Sequence, residues 1–356
     1  MKHIAIIMPK LGGGGAERVI TTIIRHIDKE KFKVTLILVH EDGEYQKDIP
    51  DNIRIKILSA NKVRYAGLEL INIIRSLKPD IVFSSIRGTS FLIGSIKRFF
   101  PKKTKVVIRE NNSPSVSIKS NKNSVLWKGI YNTVFKRFDK IICQSEFMKK
   151  DFIENFSFKE DKLKRIYNPV DTKLVKEMSL MGENPFEHEG KKKNVVLVGK
   201  LTAQKGIDLI INSIFNNPDQ TKNIKLWIIG DGTLRDNYQK LVVEKELTSK
   251  VIFVGRVNNP FIWISNADLL VLPSRYEGLP NVVLEALSLK TPIVTTDHPG
   301  GTNEVLSILR LEHRVVHNLD WSQSWFDDTY DSSFSIKDLF SEKVIIKQYE
   351  ELFNSM

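Results

Sequence analysis

The stretch Ala267-Asp268-Leu269-Leu270-Val271-Leu272-Pro273-Ser274-Arg275-Tyr276-Glu277-Gly278-Leu279-Pro280-Asn281-Val282-Val283-Leu284-Glu285-Ala286 holds a strand, a loop and the start of a helix. Its apolar run Leu269 to Leu272 predicts a buried strand, and Val282 to Leu289 predicts a helix. Between them, Gly278 permits a tight turn or a close approach to a ligand, and Pro280 suits a first helical position. This order sets Glu277 at the strand-to-helix junction and Glu285 in the early turns of the helix. Unpaired N–H groups at a helix start favour anions such as phosphate. A carboxylate on that helix can accept hydrogen bonds from ribose hydroxyls, and a second in the loop can do the same for a sugar.

The same alternation runs through the rest of the chain. Ile4 to Met8, Val34 to Val39, Ile53 to Leu58, Asp80 to Ser84, Thr104 to Arg109 and Lys140 to Gln144 read as short strands. Helical periodicity separates them, as in Ala16 to Ile27, where Val19, Ile20, Ile23, Ile24 and Ile27 recur on one face, and in Leu68 to Leu77. Asn194 to Gly199 opens a second such series, continued by Leu226 to Ile229 and Val251 to Val257. Short apolar strands interleaved with helices predict parallel sheets covered on both faces. At 356 residues the chain fits two domains. The polar segment Pro185 to Lys193, with proline, glycine and three consecutive lysines, reads as a linker, which puts the boundary between 171 and 193. The expected division is 1–180, 190–335, and a closing amphipathic helix over 336–356.

Composition narrows the function classes. A single cysteine, Cys143, rules out an internal disulfide framework, points to a reducing compartment, and reads as a packed core thiol at a strand end. The apolar run at Ile4 meets glycines in place of a cleavage site, so it reads as a strand and not a signal peptide. No apolar stretch approaches the roughly 18 residues of a membrane span. A net charge of +12 calls for an anionic partner without choosing among nucleotide, nucleic acid and phospholipid surface. No recognised DNA- or RNA-binding motif accompanies that charge, so nucleic acid is set aside.

Several clusters carry candidate chemistry. Gly12 to Gly15 lies between the first strand and the first helix, where backbone N–H groups can approach a pyrophosphate; the bland alternative is a plain turn. Lys200 and Lys205 flank a second strand-to-helix turn, and two cations there hold a diphosphate better than one, although surface lysines need no explanation. Arg109, Glu110, Asn111 and Asn112 close a strand with polar groups, a favoured place for a ligand in an open sheet; a structural network is the equal alternative. Trp127, Ile130, Tyr131, Val134, Phe135 and Phe138 form one face of a basic helical stretch that follows the cationic run Lys97 to Lys105. That face fits either a membrane interface or ordinary core.

Glu277 and Glu285, with Gly278-Leu279-Pro280 between them, resemble the glutamate-x7-glutamate signature of the retaining glycosyltransferases of family four. The resemblance extends to Gly12 to Arg18, Gly199 to Gly206, Gly230-Asp231-Gly232, Ile166 to Asp171 and Asp297 to Glu304, all in the family's order. It implies the α/β GT-B fold, two Rossmann-like domains facing across a deep cleft, and transfer of a hexose-type unit from a nucleotide diphosphate sugar, foremost a UDP-sugar. It further implies Lys200, Lys205 and Glu277 as catalytic groups. Donor contacts would come from Gly13, Gly14, Gly15, Arg256, Gly278, Leu279, Pro280, Asn281 and Glu285, with Glu285 on the ribose and Glu277 on the sugar. Arg109, Glu110, Asn111 and Asn112 would stand on the acceptor side.

The implied partners are the nucleotide sugar, a lipid-linked saccharide or polyprenyl-diphosphate glycan acceptor, and an anionic membrane surface. No cofactor and no metal are implied, and the chain shows no Asp-x-Asp pair. The implied setting is surface polysaccharide, lipopolysaccharide or capsule assembly by a cytoplasmic protein held peripherally at the inner leaflet. Two departures stand out. No histidine lies among Glu110, Asn111 and Asn112, where relatives often carry one, and the family's glycine-leucine-valine strand is missing from 306–330, which holds Trp321, Trp325, Phe326 and Tyr330 instead. A sugar-nucleotide epimerase of the same fold and an inactive scaffold at a membrane assembly are the alternatives.

Overall fold

The computed structural model describes residues 1–119, 123–326 and 336–356. It forms two compact units, Met1–Pro169 with Phe340–Met356, and Val170–Leu339. The chain therefore leaves the first unit at Pro169, ahead of the expected 171–193, and the helix Thr172–Ser179 belongs to the second. Asp171 caps that helix, its carboxylate accepting from Leu174 N at 3.0 Å, so the Asn168-Pro169-Val170-Asp171 turn is itself the crossing point.

The first unit is a seven-stranded parallel sheet built from β1 (Lys2–Met8), β2 (Phe32–Leu38), β3 (Arg54–Ile57), β4 (Ile81–Ser84), β5 (Lys105–Arg109), β6 (Lys140–Cys143) and β7 (Leu163–Arg165), in the order β3-β2-β1-β4-β5-β6-β7. Its central strands are apolar on both faces, as strands between two helix layers must be: Ile4, Ala5, Ile7, Val82, Phe83, Val106 and Val107 are fully buried. Cys143 is buried at the end of β6, and burial pushes its thiol well above the ordinary range, as suits a core group. The helix Glu342–Asn354 closes this unit. Its Phe353 meets Phe83 and Phe32 edge-on at 5.5 and 6.3 Å, and Lys2 Nζ donates to the terminal carbonyls of Phe353 and Asn354.

The second unit repeats the plan with β8 (Lys193–Val198), β9 (Ile224–Ile229), β10 (Val251–Gly255), β11 (Leu269–Leu272), β12 (Ile293–Thr296) and β13 (Val315–Val316), in the order β10-β9-β8-β11-β12-β13. Both orders reverse direction once, between β1 and β4 and between β8 and β11. Loops leaving neighbouring strands at such a reversal diverge to opposite faces and open a crevice at the carboxyl ends of the strands.

One expectation is corrected here. The strand read as missing is present in reduced form as β13, whose Val315 and Val316 pair with Thr295 and Thr296. In the segment after it, Trp321 and Trp325 are each 4% exposed, stack at 5.5 Å and join the unit's core. Trp321 Nε1 donates to Ser213 Oγ at 2.7 Å, and Arg314 donates to the Trp325 carbonyl at 2.7 Å. Tyr330 lies outside the described residues.

Of the two alternatives for the face from Trp127 to Phe138, membrane interface or core, the structure shows core packing. The helix Ser124–Thr133 gives way to a short 3-10 turn, Phe135–Arg137. Tyr131, Phe135 and Phe138 are fully buried, Val134 nearly so, and Trp127 and Ile130 pack against the same core. Burying that face against the sheet removes more apolar area from water than any surface contact leaves available, so the stripe turns inward. The exposed apolar residues are instead Val125 and Leu126, at 85% and 62%.

Candidate active site

In the second unit, the loops after β8, β11 and β12 meet at the reversal point. Gly206 ends the first loop with φ +61, a conformation that suits glycine, and a Cβ there would stand 1.9 Å from the Pro273 carbonyl. Arg275 N donates to the Gln204 carbonyl at 2.8 Å, and its guanidinium forks onto Asp208 at 2.8 and 2.5 Å. That fork holds the Asp208 carboxyl below its usual range, the hydrogen bond from Arg275 being the largest cause. The third loop is fastened by backbone: Glu277 N donates to the Pro299 carbonyl at 2.9 Å and Gly301 N to the Gly278 carbonyl at 2.7 Å. Gly300, at φ +147, lies so close that a Cβ would be 2.3 Å from the Glu277 carbonyl.

These fastenings hold Glu277, which is 5% exposed. Lys205 Nζ donates to its Oε1 at 2.6 Å, Ser274 Oγ to the same oxygen at 2.7 Å, and Gln204 Nε2 to Oε2 at 3.1 Å. A buried carboxylate needs this degree of compensation, because desolvation without it costs several kcal/mol. Lys205 thus faces Glu277 directly, whereas the sequence suggested two separate ligands. Lys200 is exposed on the same loop.

Glu285 is 4% exposed on the helix Asn281–Ser288. Pro280 sits one position earlier than expected, as the residue before the helix, with Gly278, Leu279 and Pro280 all buried. Asn281 is half-buried and opens the helix, and Arg256 is exposed just after β10. His298 was not singled out from sequence. Burial lowers its pKa, which leaves a neutral ring: Nδ1 donates to the Thr296 carbonyl at 2.8 Å and Nε2 accepts from Thr302 Oγ1 at 3.1 Å.

In the first unit, Gly13 and Gly15 are exposed, and Gly14 precedes the helix Gly15–His26 in extended backbone at φ −88. Glu17 folds its carboxylate over Gly14, and Arg18 Nε donates to Tyr45 Oη at 2.8 Å. Across the reversal point, the ends of β4, β5 and β6 share a buried polar network. Arg109 is 2% exposed and donates to Ser85 Oγ at 3.0 Å, to Asn111 Oδ1 at 2.6 Å and to Asn168 Oδ1. Burial lowers its pKa, and Tyr349 and Glu110 oppose that shift. Glu110 accepts from Tyr131 Oη at 3.0 Å and faces Arg87 at 3.5 Å, while Gln144 Nε2 donates to its carbonyl at 2.7 Å. Asn112 is half-buried beside them. The sequence gives Arg87 and Gln204 no role, reads Tyr131 only as one of an apolar stripe, Gln144 only as a strand end and Ser274 only as part of the loop; Arg87 is marked only by following a central strand, and Gln204 only by standing next to Lys205. Among the described residues, no three His, Cys, Asp or Glu side chains group as a metal site would.

Comparison with known proteins follows this geometry. Residues 13–174 match the model of Glycosyltransferase Family 4, and residues 183–308 that of Glycosyl transferases group 1. The chain is 30% identical over 318 residues to an N-acetylgalactosamine-N,N'-diacetylbacillosaminyl-diphospho-undecaprenol 4-alpha-N-acetylgalactosaminyltransferase of Campylobacter jejuni, covering 86% of this chain and 83% of that one. It is 28% identical over 341 residues to an uncharacterized glycosyltransferase of Methanocaldococcus jannaschii, covering 93% and 80%. Among solved structures, HepE of Anabaena in complex with UDP-glucose superposes with a TM-score of 0.80 at 15% identity over the whole of both chains, a likeness of fold.

Proposed function

The chain belongs to glycosyltransferase family four, and from that premise we propose that it is a retaining enzyme. It moves a sugar from a UDP-sugar to a polyprenyl-diphosphate-linked glycan during surface polysaccharide assembly. The observation that carries this reading is the meeting of Lys205 and Glu277 at the reversal point of the second sheet, 2.6 Å apart. A cation and a carboxylate fixed there are what a diphosphate and a sugar hydroxyl require. The acceptor class is supported by the Campylobacter relative, whose name specifies an undecaprenol-diphosphate-linked saccharide. The donor base is supported by HepE, which was captured with UDP-glucose.

In this reading the bond from the anomeric carbon to the diphosphate oxygen breaks, and the acceptor hydroxyl attacks from the face the diphosphate leaves and gives its proton to the departing diphosphate oxygen. Negative charge grows on the departing oxygen, and Lys200 and Lys205 neutralise it without a metal. Glu285 receives ribose hydroxyls, Glu277 a sugar hydroxyl, and Gly13 to Gly15 offer N–H groups to the phosphates. Arg256, Gly278, Leu279, Pro280 and Asn281 complete the donor side, with Arg109, Glu110, Asn111 and Asn112 toward the acceptor. Retention needs no carboxylate nucleophile, so Glu277 binds and does not attack. Among the described residues no helix is long and apolar enough to cross a membrane, and the protein reaches its lipid-linked acceptor by peripheral contact with the anionic inner leaflet.

The test is incubation of the purified protein with UDP-glucose, UDP-N-acetylglucosamine or UDP-N-acetylgalactosamine and a polyprenyl-diphosphate saccharide, with mass detection of the extended lipid. Extension with release of UDP is the expected result. Interconversion of the sugar nucleotide without acceptor would make the protein an epimerase, and binding without turnover would make it a scaffold.

A further inference from the structure

We propose that Glu277 is the resident counter-ion of the nucleotide site: it holds Lys205 while no donor is bound, yields it to the incoming diphosphate, and takes a sugar hydroxyl in its place. The inference rests on the donor reading above and adds how the site tells an intact donor from a spent one.

The geometry leads there directly. Oε1 of Glu277 has both lone pairs engaged, one by Lys205 at 2.6 Å and one by Ser274 at 2.7 Å. Lys205 Nζ has two further N–H groups, so a diphosphate can engage the ammonium at first contact; the diphosphate then competes with Glu277 for its charge, and lengthening of the 2.6 Å bond vacates an acceptor site on the carboxylate. Lys205 keeps 17% of its side chain exposed against 6% for Glu277, so the lysine is the reachable partner and the carboxylate lies beneath it.

Ser274 and Gln204 stay on the carboxylate from the other sides, at 2.7 and 3.1 Å, and fix its position after the lysine moves. They act as positioning residues. With a sugar nucleotide, a sugar hydroxyl fills the vacated valence and the exchange is balanced. With the nucleoside diphosphate alone, the carboxylate is left short of a donor beside a like-charged ligand, which is costly in a buried setting. Once the sugar has been transferred, Glu277 reclaims Lys205 and the diphosphate loses its cation, so the same pair favours donor entry and product release.

The experiment is calorimetric titration of the full chain with UDP, GDP, inorganic pyrophosphate, UDP-glucose and UDP-N-acetylgalactosamine, using wild type, Glu277→Gln, Lys205→Gln and the double variant. Glu277→Gln is expected to bind UDP at least about threefold more tightly than wild type, because a like charge is gone and the lysine is released. Its preference for a sugar nucleotide over UDP should fall, and in the Lys205→Gln background the gain should shrink to what loss of the like charge alone gives. UDP binding that is unchanged or weaker in Glu277→Gln overturns the inference and leaves the donor reading standing. If none of the probes binds wild type, the donor reading itself fails, and the inference with it. Should Glu277→Gln not fold, a crystal structure of wild type with UDP decides: Lys205 Nζ on the diphosphate and beyond about 4 Å of Glu277 supports the exchange, and an intact pair refutes it.

Discussion

Lys205 and Glu277 are joined across two loops by a 2.6 Å charge-assisted hydrogen bond, with the carboxylate buried and the lysine partly open to solvent. A single substitution at Lys205 therefore acts twice. It removes a cation from the departing diphosphate, and it strips a buried carboxylate of its counter-charge. Lys205→Ala is expected to lower kcat/KM by at least about tenfold, one charge-assisted contact to a developing anion being worth roughly 1.5–3 kcal/mol. It should also lower the unfolding midpoint, since an unpaired buried charge is costly. Lys200→Ala should show the first effect without the second, because Lys200 is exposed. Steady-state kinetics with thermal unfolding of both variants checks this; equal kcat/KM in wild type and Lys205→Ala would remove Lys205 from the chemistry.

Glu285 lies on the helix that begins at Asn281 and is buried at 4% exposure. If it receives the ribose, Glu285→Gln should weaken UDP and UDP-sugar by the same factor, since the ribose is common to both ligands. That is the opposite of the pattern expected for Glu277→Gln, in which UDP gains. Titration of the two variants side by side distinguishes the roles, and tighter UDP binding by Glu285→Gln would show that they are assigned the wrong way round.

The segment after β13 was opaque in the sequence and is plain in the structure. Trp321 and Trp325 stack in the core of the second unit, and the Trp321 indole donates to Ser213. Trp321→Ala is expected to cost about 3–5 kcal/mol of stability, the usual range for emptying a buried tryptophan site. Trp321→Phe, which keeps an aromatic but loses the hydrogen bond, should cost less. Urea unfolding monitored by circular dichroism tests the order, and an unaltered midpoint in Trp321→Ala would mean that the segment does not support the core.

The strands are legible in the sequence because a parallel strand buried on both faces is an unbroken apolar run, as in Ile4 to Met8 and Leu269 to Leu272. Contacts between loops are not. Ser274, Gln204 and Lys205 converge on one carboxylate only after β8 and β11 become neighbours, and no spacing along the chain encodes that adjacency. The sequence leaves the stripe from Trp127 to Phe138 open between membrane interface and core for a related reason. Amphipathic periodicity says that one face is buried, but the medium against which it is buried is set by the tertiary fold.

That outcome moves the expected membrane contact to residues that remain exposed. Val125 and Leu126 project to solvent, and Arg98, Lys102, Lys103, Lys128 and Lys136 are exposed cations of the same unit. Wild type should co-sediment with vesicles rich in anionic phospholipid better than with neutral ones, and salt should erode the difference. Replacing Val125 and Leu126 together by serine should weaken binding to anionic vesicles while leaving the unfolding midpoint near wild type. Equal sedimentation with both lipid compositions at low ionic strength would exclude electrostatic docking.

His298 supplies a pH dependence with a definite sign. Its ring is 4% exposed and its pKa is lowered from 6.5, with burial the largest cause; Glu277 and Asp297 oppose that shift and Lys205 reinforces it. A base whose pKa is lower in the folded state than in the unfolded one is protonated first in the unfolded chain. The contribution it makes is therefore complete above pH 6.5 and is lost as the pH falls from there through the folded-state value. Its neutral form is also the one the structure uses, with Nδ1 donating to Thr296 and Nε2 accepting from Thr302, which anchors the loop that receives Glu277 N. His3 and His313 also have lowered pKa values, so wild type alone does not isolate the effect. His298→Asn should be less stable than wild type at pH 8, and the gap should narrow as the pH is taken from 7 to 5. Thermal unfolding of both proteins across that range measures it, and a gap that stays constant or widens toward acid would show that His298 is not held neutral.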